Sequence, residues 1–192
     1  MLPDLKRIEA KVSELESRRD SVMQLSRELI RMSGKAIALM HAQGPRGAAE
    51  MLRNLKRMKN SLSESEGGFE YYTLQAHQEY TEAVVLHGVL SSKKIPLMSE
   101  VEESEVPYLL GLMDVIGELK RESIESIRKG RISDAESYYS VMSDIYDSTL
   151  HMRFASSILP DFRRKQDSAR IQLEGVMNEL AHVSHSSHDS KV

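Results

Sequence analysis

The chain has 192 residues, 40% of them apolar and 29% charged, with no cysteine and no tryptophan. That length and balance suit one globular domain, and exclude a disordered chain, a disulfide framework and a Cys-ligated zinc site. A formal net charge of −3 excludes a global positive field for collecting nucleic acid, so such binding must come from local basic faces or from faces gathered by oligomerisation.

The residues from Leu5 to about His41 predict one long helix. Its apolar positions Ile8, Val12, Leu15, Val22, Leu25, Leu29, Met32, Ile37 and Met40 keep near-helical spacing. Gly44-Pro45-Arg46-Gly47 breaks it, and a shorter helix is expected from about Gly47 to Leu62. Ser63 to Gly68 reads as a polar loop, and a third helix covers Phe69 to Ser91. Ser99 with Glu102 fits a capping box opening a short turn. Pro107 fits the first turn of the next helix, which ends before Gly130. Ser133 with Glu136 fits a second capping box, opening a helix to about Met152. Pro160 fits the start of a last helix ending near His182. The expected architecture is all-α, a single domain of six to seven helices over residues 1–182, with a disordered Ser- and His-rich tail at 183–192. The first helix would be roughly 55 Å long at about 1.5 Å per residue, longer than the core of a small domain, which points to packing against neighbouring subunits. Residues 1–11 are charged and hold no apolar signal core, and no run approaches the roughly 18 apolar residues of a membrane span. A cytoplasmic protein without a membrane partner is expected.

The most unusual stretch is VPYLLGLMDVIGEL, Val106 to Leu119. Asp114 and Glu118 are four apart, on one helix face, among Leu110, Met113, Val115, Ile116 and Leu119. Burying two like charges together is costly and calls for compensation, by a divalent cation or by paired Arg or Lys. In HQEYTEAVVLHGVL, Glu79 and Glu82 also share a face. Two acid pairs on two helices could converge on one hard cation, and oxygen-only ligands suit Mg2+ or Mn2+ better than zinc. A carboxylate–histidine di-iron bundle fits less well, because the i+3 partner of Glu79 is Glu82 and not a histidine. Solvent-facing acids in structural pairs, such as Glu118 with Arg121, are the plain alternative.

YLLGLMDVIGELKR with SIESIRKGR, QEYTEAVV, and LSRELIRMSGKAIALMH resemble the corresponding segments of the translin and translin-associated factor X family. The resemblance spans about Arg19 to His182 and is sharpest in the two acidic segments. It implies a single helical domain of about seven helices, assembled into a closed octameric shell that encloses RNA. It also implies a magnesium-dependent endoribonuclease whose catalytic and metal-binding acids map onto Glu79, Glu82 and Asp114, with Glu118 as a further acid at the site. Translin itself lacks this set, which places the chain on the catalytic side. The chain is shorter than the eukaryotic catalytic partner, and resembles a prokaryotic or archaeal relative acting alone as a homo-oligomer.

The reaction expected is hydrolysis of RNA phosphodiesters, with Glu79, Glu82 and Asp114 holding the ion and Glu118 ligating it or orienting water. Candidate RNA contacts, to single strands or short duplexes, are the stripe Arg27, Arg31 and Lys35, the group Arg53, Lys56 and Arg57, and the pair Lys93 and Lys94. Such charged faces are often simply solvated. His41, His77 and His87 could lie near the acids, Tyr71-Tyr72 and Tyr138-Tyr139 could stack on bases or pack, and His182, His185 and His188 could capture metal. The alternatives are a non-catalytic single-stranded RNA- or DNA-binding protein, and a metal-storage or structural helical oligomer without nucleic acid.

Overall fold

The computed structural model describes residues 3–189, and among them all regular structure is helical. Seven helices run in order: α1 Pro3–Gln43, α2 Pro45–Ser65, α3 Glu70–Ser92, α4 Met98–Val101, α5 Glu105–Arg128, α6 Ile132–Thr149 and α7 Phe162–Asp189.

Helix α1 has two different halves. From Val22 onward, Val22, Ser26, Leu29, Ser33, Ala36 and Met40 are buried at alternating steps of four and three, with Ile37 buried beside them, the stripe of a helix seated on a core. Before it, Leu5, Ile8, Val12 and Leu15 keep the same period but are more than half exposed. Gly44, with φ 76, turns the chain into α2. That helix starts two residues earlier than expected, because Pro45 at its first position needs no N–H partner.

Helix α1 packs on α2 and α3, α3 packs on α5, and α5 also carries α6 and α7. One apolar cluster runs through these contacts, from Val22 and Leu55 through Leu86 and Leu119 to Met142 and Val176. Gly111 sets the α3–α5 approach: a Cβ there would stand 2.6 Å from the Thr81 side chain and 2.9 Å from the Gln78 carbonyl oxygen. Only glycine lets α3 and α5 come this close.

Neither capping box forms where the spacing placed it. The Glu100 carboxylate, not Glu102, accepts a hydrogen bond from the chain in front of α4, at the Leu97 N–H, 2.6 Å away. Ser133 lies inside α6, which starts behind Arg131, and its side chain caps nothing. The box pattern is short and local, and the chain's entry into each helix is decided by the preceding turn. Helix α7 continues through the expected tail as far as Asp189, since no glycine or proline after Gly175 stops it. Positions 190–192 of that tail, and the side chains of His185 and His188, lie outside the described residues. Among the described residues no helix is long and apolar enough to cross a membrane.

Candidate acidic site between α3 and α5

The Gly111 contact brings the middle of α3 against the middle of α5. Glu79 and Glu82 on one helix thereby face Asp114 and Glu118 on the other, close enough that each of the latter two raises the proton affinity of Glu82. Glu82 is 9% exposed. Burial, and then the charges of Asp114, Glu79 and Glu118, push its carboxyl up to about 8 against a smaller lowering by Lys165. Glu79 is also raised, by burial first, against a hydrogen bond from Gln75 that lowers it.

Two cations compensate part of this charge. Lys165, from the first turn of α7, forms an ion pair with Asp114 Oδ1, while Gln78 Nε2 donates to Asp114 Oδ2. From α1, His41 reaches Glu118 with Nε2 and Glu122 with Nδ1, both at 2.5 Å. With a carboxylate on each ring nitrogen, the imidazole is held as the cation. The bonds to Glu118 and Glu122 raise it to about 9 against the cost of burial. Glu118 is correspondingly lowered, first by its bond from His41.

The site therefore gathers all four acids expected from the two motifs. It also contains groups that sequence spacing did not supply: Lys165 lies 51 positions from Asp114, and Gln78 immediately precedes Glu79 on α3. Of the three candidate histidines only His41 joins the cluster. His77 is buried elsewhere, between Glu103 at 2.8 Å and Glu66 at 3.0 Å. His87 is lowered by burial and bonds the Pro45 carbonyl.

An all-oxygen set carrying excess negative charge has the chemistry of a hard-cation site. Among the described residues, however, no three His, Asp or Glu side chains stand together in a ligating arrangement, and Lys165 and His41 occupy the two α5 acids. The donor chemistry fits such an ion, and seating it requires these side chains to turn.

The basic candidates are distributed unevenly. Arg27, Arg31 and Lys35 form an exposed stripe on α1, where Arg31 is paired with Glu28. Arg53, Lys56 and Arg57 are exposed on α2, with Lys56 paired to Glu102 at 2.6 Å. Lys94 is exposed. Lys93 caps α3 in the left-handed conformation, and its ammonium lies 3.5 Å from the Tyr138 ring centroid and 3.4 Å from Asp134. It is engaged within the chain.

Comparison with known proteins decides the family. The model of the Translin family matches residues 17–178. The chain belongs to the Translin family. An uncharacterised protein of Methanocaldococcus jannaschii, MJ0175, is 30% identical over 165 residues, covering 83% of this chain and 73% of that protein. Among solved structures, a complex of AfC3PO with duplex RNA matches with a TM-score of 0.84 at 25% identity, over 95% of this chain and 97% of that one. AfC3PO in a second structure gives 0.84 at 25% identity, over 95% and 98%. Apo-NeC3PO gives 0.84 at 23% identity, over 94% and 97%, a likeness of fold. The seven-helix arrangement is thus the translin fold, and the acidic site lies between its third and fifth helices.

Proposed function

We propose that this chain is a metal-dependent endoribonuclease, a member of the catalytic, translin-associated factor X side of its family, working as a homo-oligomer with eight copies favoured. The observation that carries the reading is Glu82. A carboxyl buried to 9% exposure beside three other acids costs stability and serves no packing purpose. A similar fold in complex with duplex RNA supports RNA as the polymer. The exposed apolar stripe of Leu5, Ile8, Val12 and Leu15 supports assembly of several copies.

In this reading Glu79, Glu82 and Asp114 would hold magnesium or manganese, and Glu118 would ligate it or orient water. When bound, the ion supplies a water of lowered pKa and stabilises charge on the phosphodiester. The chain's own residues do the rest. Glu82, once deprotonated, would complete the ligand set. Gln78 orients Asp114 through Oδ2. His41 and Glu122 hold Glu118 from behind, fixing where its free oxygen stands. Lys165 is released from Asp114 and becomes a cation facing the substrate. The α1 stripe and the α2 group position the RNA backbone without reading sequence.

The test is cleavage of labelled single-stranded and duplex RNA by the full chain, with magnesium or with a chelator. Asp114→Asn is expected to retain RNA binding and to lose cleavage by about a hundredfold or more. Wild-type cutting that survives chelation, or an Asn variant that cuts normally, would sink the reading. A second reading, a binding protein that leaves RNA intact, is favoured by the occupation of Asp114 and Glu118 by Lys165 and His41. Salt-sensitive binding by a folded wild type that never cuts would establish it.

A further inference from the structure

Beside the acidic site lies a groove of about 470 Å³, walled by Tyr71, Tyr72, Gln75, Gln78, Arg164 and Lys165. Gln78 and Lys165 are the same residues that hold Asp114, so these two side chains form the wall that the groove shares with the acid cluster. Its rim is aromatic and wet. Tyr71 is 85% exposed and Tyr72 is 48% exposed, with ring centroids 5.7 Å apart in an edge-on arrangement. Large aromatic rings held this far into solvent contribute little to the core. Cations surround them: the Arg19 guanidinium lies 5.7 Å from the Tyr72 ring centroid, and Arg18 lies 5.4 Å from that of Phe69. Arg164 is paired with Asp161, at 3.1 Å, and both are largely exposed. Such a pair is weak and readily exchanged for another anion. Amide, ammonium, ring and guanidinium thus line one groove, with the acid cluster directly behind Gln78 and Lys165.

We propose that this groove is a nucleotide subsite, taking one unpaired nucleotide of a single-stranded RNA next to the acidic site. The base stacks on the face of one tyrosine ring with the other edge-on beside it, and the adjoining phosphate displaces Asp161 from Arg164, with Lys165 at the boundary to the acid cluster. Stacking requires a base with a free face, so the subsite selects a splayed-out or single-stranded residue over one inside a duplex. The assignment rests on the reading of the acidic site as RNA-directed, but the occupancy of the groove does not depend on cleavage.

The experiment uses the full chain in chelator, so that nothing is cut. A short oligoadenylate with one 2-aminopurine is titrated, reading anisotropy for affinity and 2-aminopurine quenching for stacking. Tyr71→Ala with Tyr72→Ala is expected to weaken binding by about five- to a hundredfold and to remove the quenching, while the double Phe variant keeps both. Arg164→Ala is expected to reduce the slope of log affinity against log salt by about 0.7. Wild-type affinity and quenching in the Ala variant would overturn the proposal. So would equal loss in the Phe variant, or a smaller assembly in light scattering of the Ala variant, which would place the tyrosines between copies. A chain that never cleaves RNA yet behaves as expected here keeps the subsite and loses only the nuclease reading.

Discussion

Two histidines in this chain each stand between two glutamates, and their surroundings are opposite. At the junction of α2, α3 and α4, His77 bridges Glu66 and Glu103, Thr73 adds a hydrogen bond to Glu66, and Lys59 covers the neighbouring Glu102 carbonyl oxygen. Every group there has a partner, and the cluster closes the loops at that end of the molecule. At the α3–α5 face, His41 bridges Glu118 and Glu122, but Glu79, Glu82 and Asp114 crowd beside it, with Lys165 paired to Asp114 and the Arg121 charge felt at Glu118. A balanced buried cluster is architecture. An unbalanced one costs stability that the fold must make up elsewhere, and Glu82 is where the imbalance is concentrated.

The balanced cluster should be the harder to break. His77→Ala leaves Glu66 and Glu103 buried without their cation and is expected to cost about 3–5 kcal/mol in urea unfolding. Burial opposes the charge on His77, but the bond to Glu103 and the charges of Glu103 and Glu66 outweigh it, and the imidazole is raised above 6.5. A raised folded value means that its stabilisation is complete below 6.5 and is lost as pH rises through that folded value. The deficit of the Ala variant should therefore be greatest in mild acid and shrink toward alkaline pH. A deficit that does not change with pH would make His77 a packing residue only.

Glu82 predicts the reverse outcome for a substitution in the unbalanced cluster. Its folded value, about 8, lies above its ordinary 4.5, so the folded chain keeps a proton that the unfolded chain releases. Stability is then full below 4.5 and declines as pH rises toward 8. Glu82→Gln removes that slope and should stabilise the protein by on the order of 2–3 kcal/mol at about pH 8.5, after solvent relaxation is allowed for. A Gln variant no more stable than wild type there would mean that Glu82 has a partner after all.

The two clusters also differ in how far they were legible in the sequence. The acids could be found, since Asp114 and Glu118 sit four apart in the most apolar stretch of the chain and Glu79 and Glu82 share a helix face. Helical period marked the first long helix, because burial of one stripe is written locally in the chain, while glycines and prolines bounded the others. The compensating cations were not legible: Lys165 comes from α7 and His41 from α1, and no spacing rule links either to α5. The His77 cluster was missed for the same reason, as its two glutamates flank separate loops. Helix starts at α4 and α6 were misplaced because the Ser–Glu boxes are local patterns overruled by the preceding turn.

The smallest expected effect isolates the contact that creates the unbalanced site. Gly111 and Gly117 lie on the same helix, yet their surroundings differ. A Cβ at Gly111 would clash with Thr81 and with the Gln78 carbonyl, whereas one at Gly117 would meet only the end of the flexible Gln172 side chain, at 3.6 Å. Gly111→Ala should therefore cost about 1–3 kcal/mol through overpacking. Gly117→Ala should be neutral, or stabilising by up to about 1 kcal/mol through helix propensity. Only the first should separate α3 from α5. That admits water to Glu82, so its carboxyl should fall from about 8 toward 4.5, a shift readable by carbon-detected NMR titration. If Gly111→Ala destabilised the chain while Glu82 titrated as in the wild type, the crowding of the acids would have a source other than the close approach of these two helices.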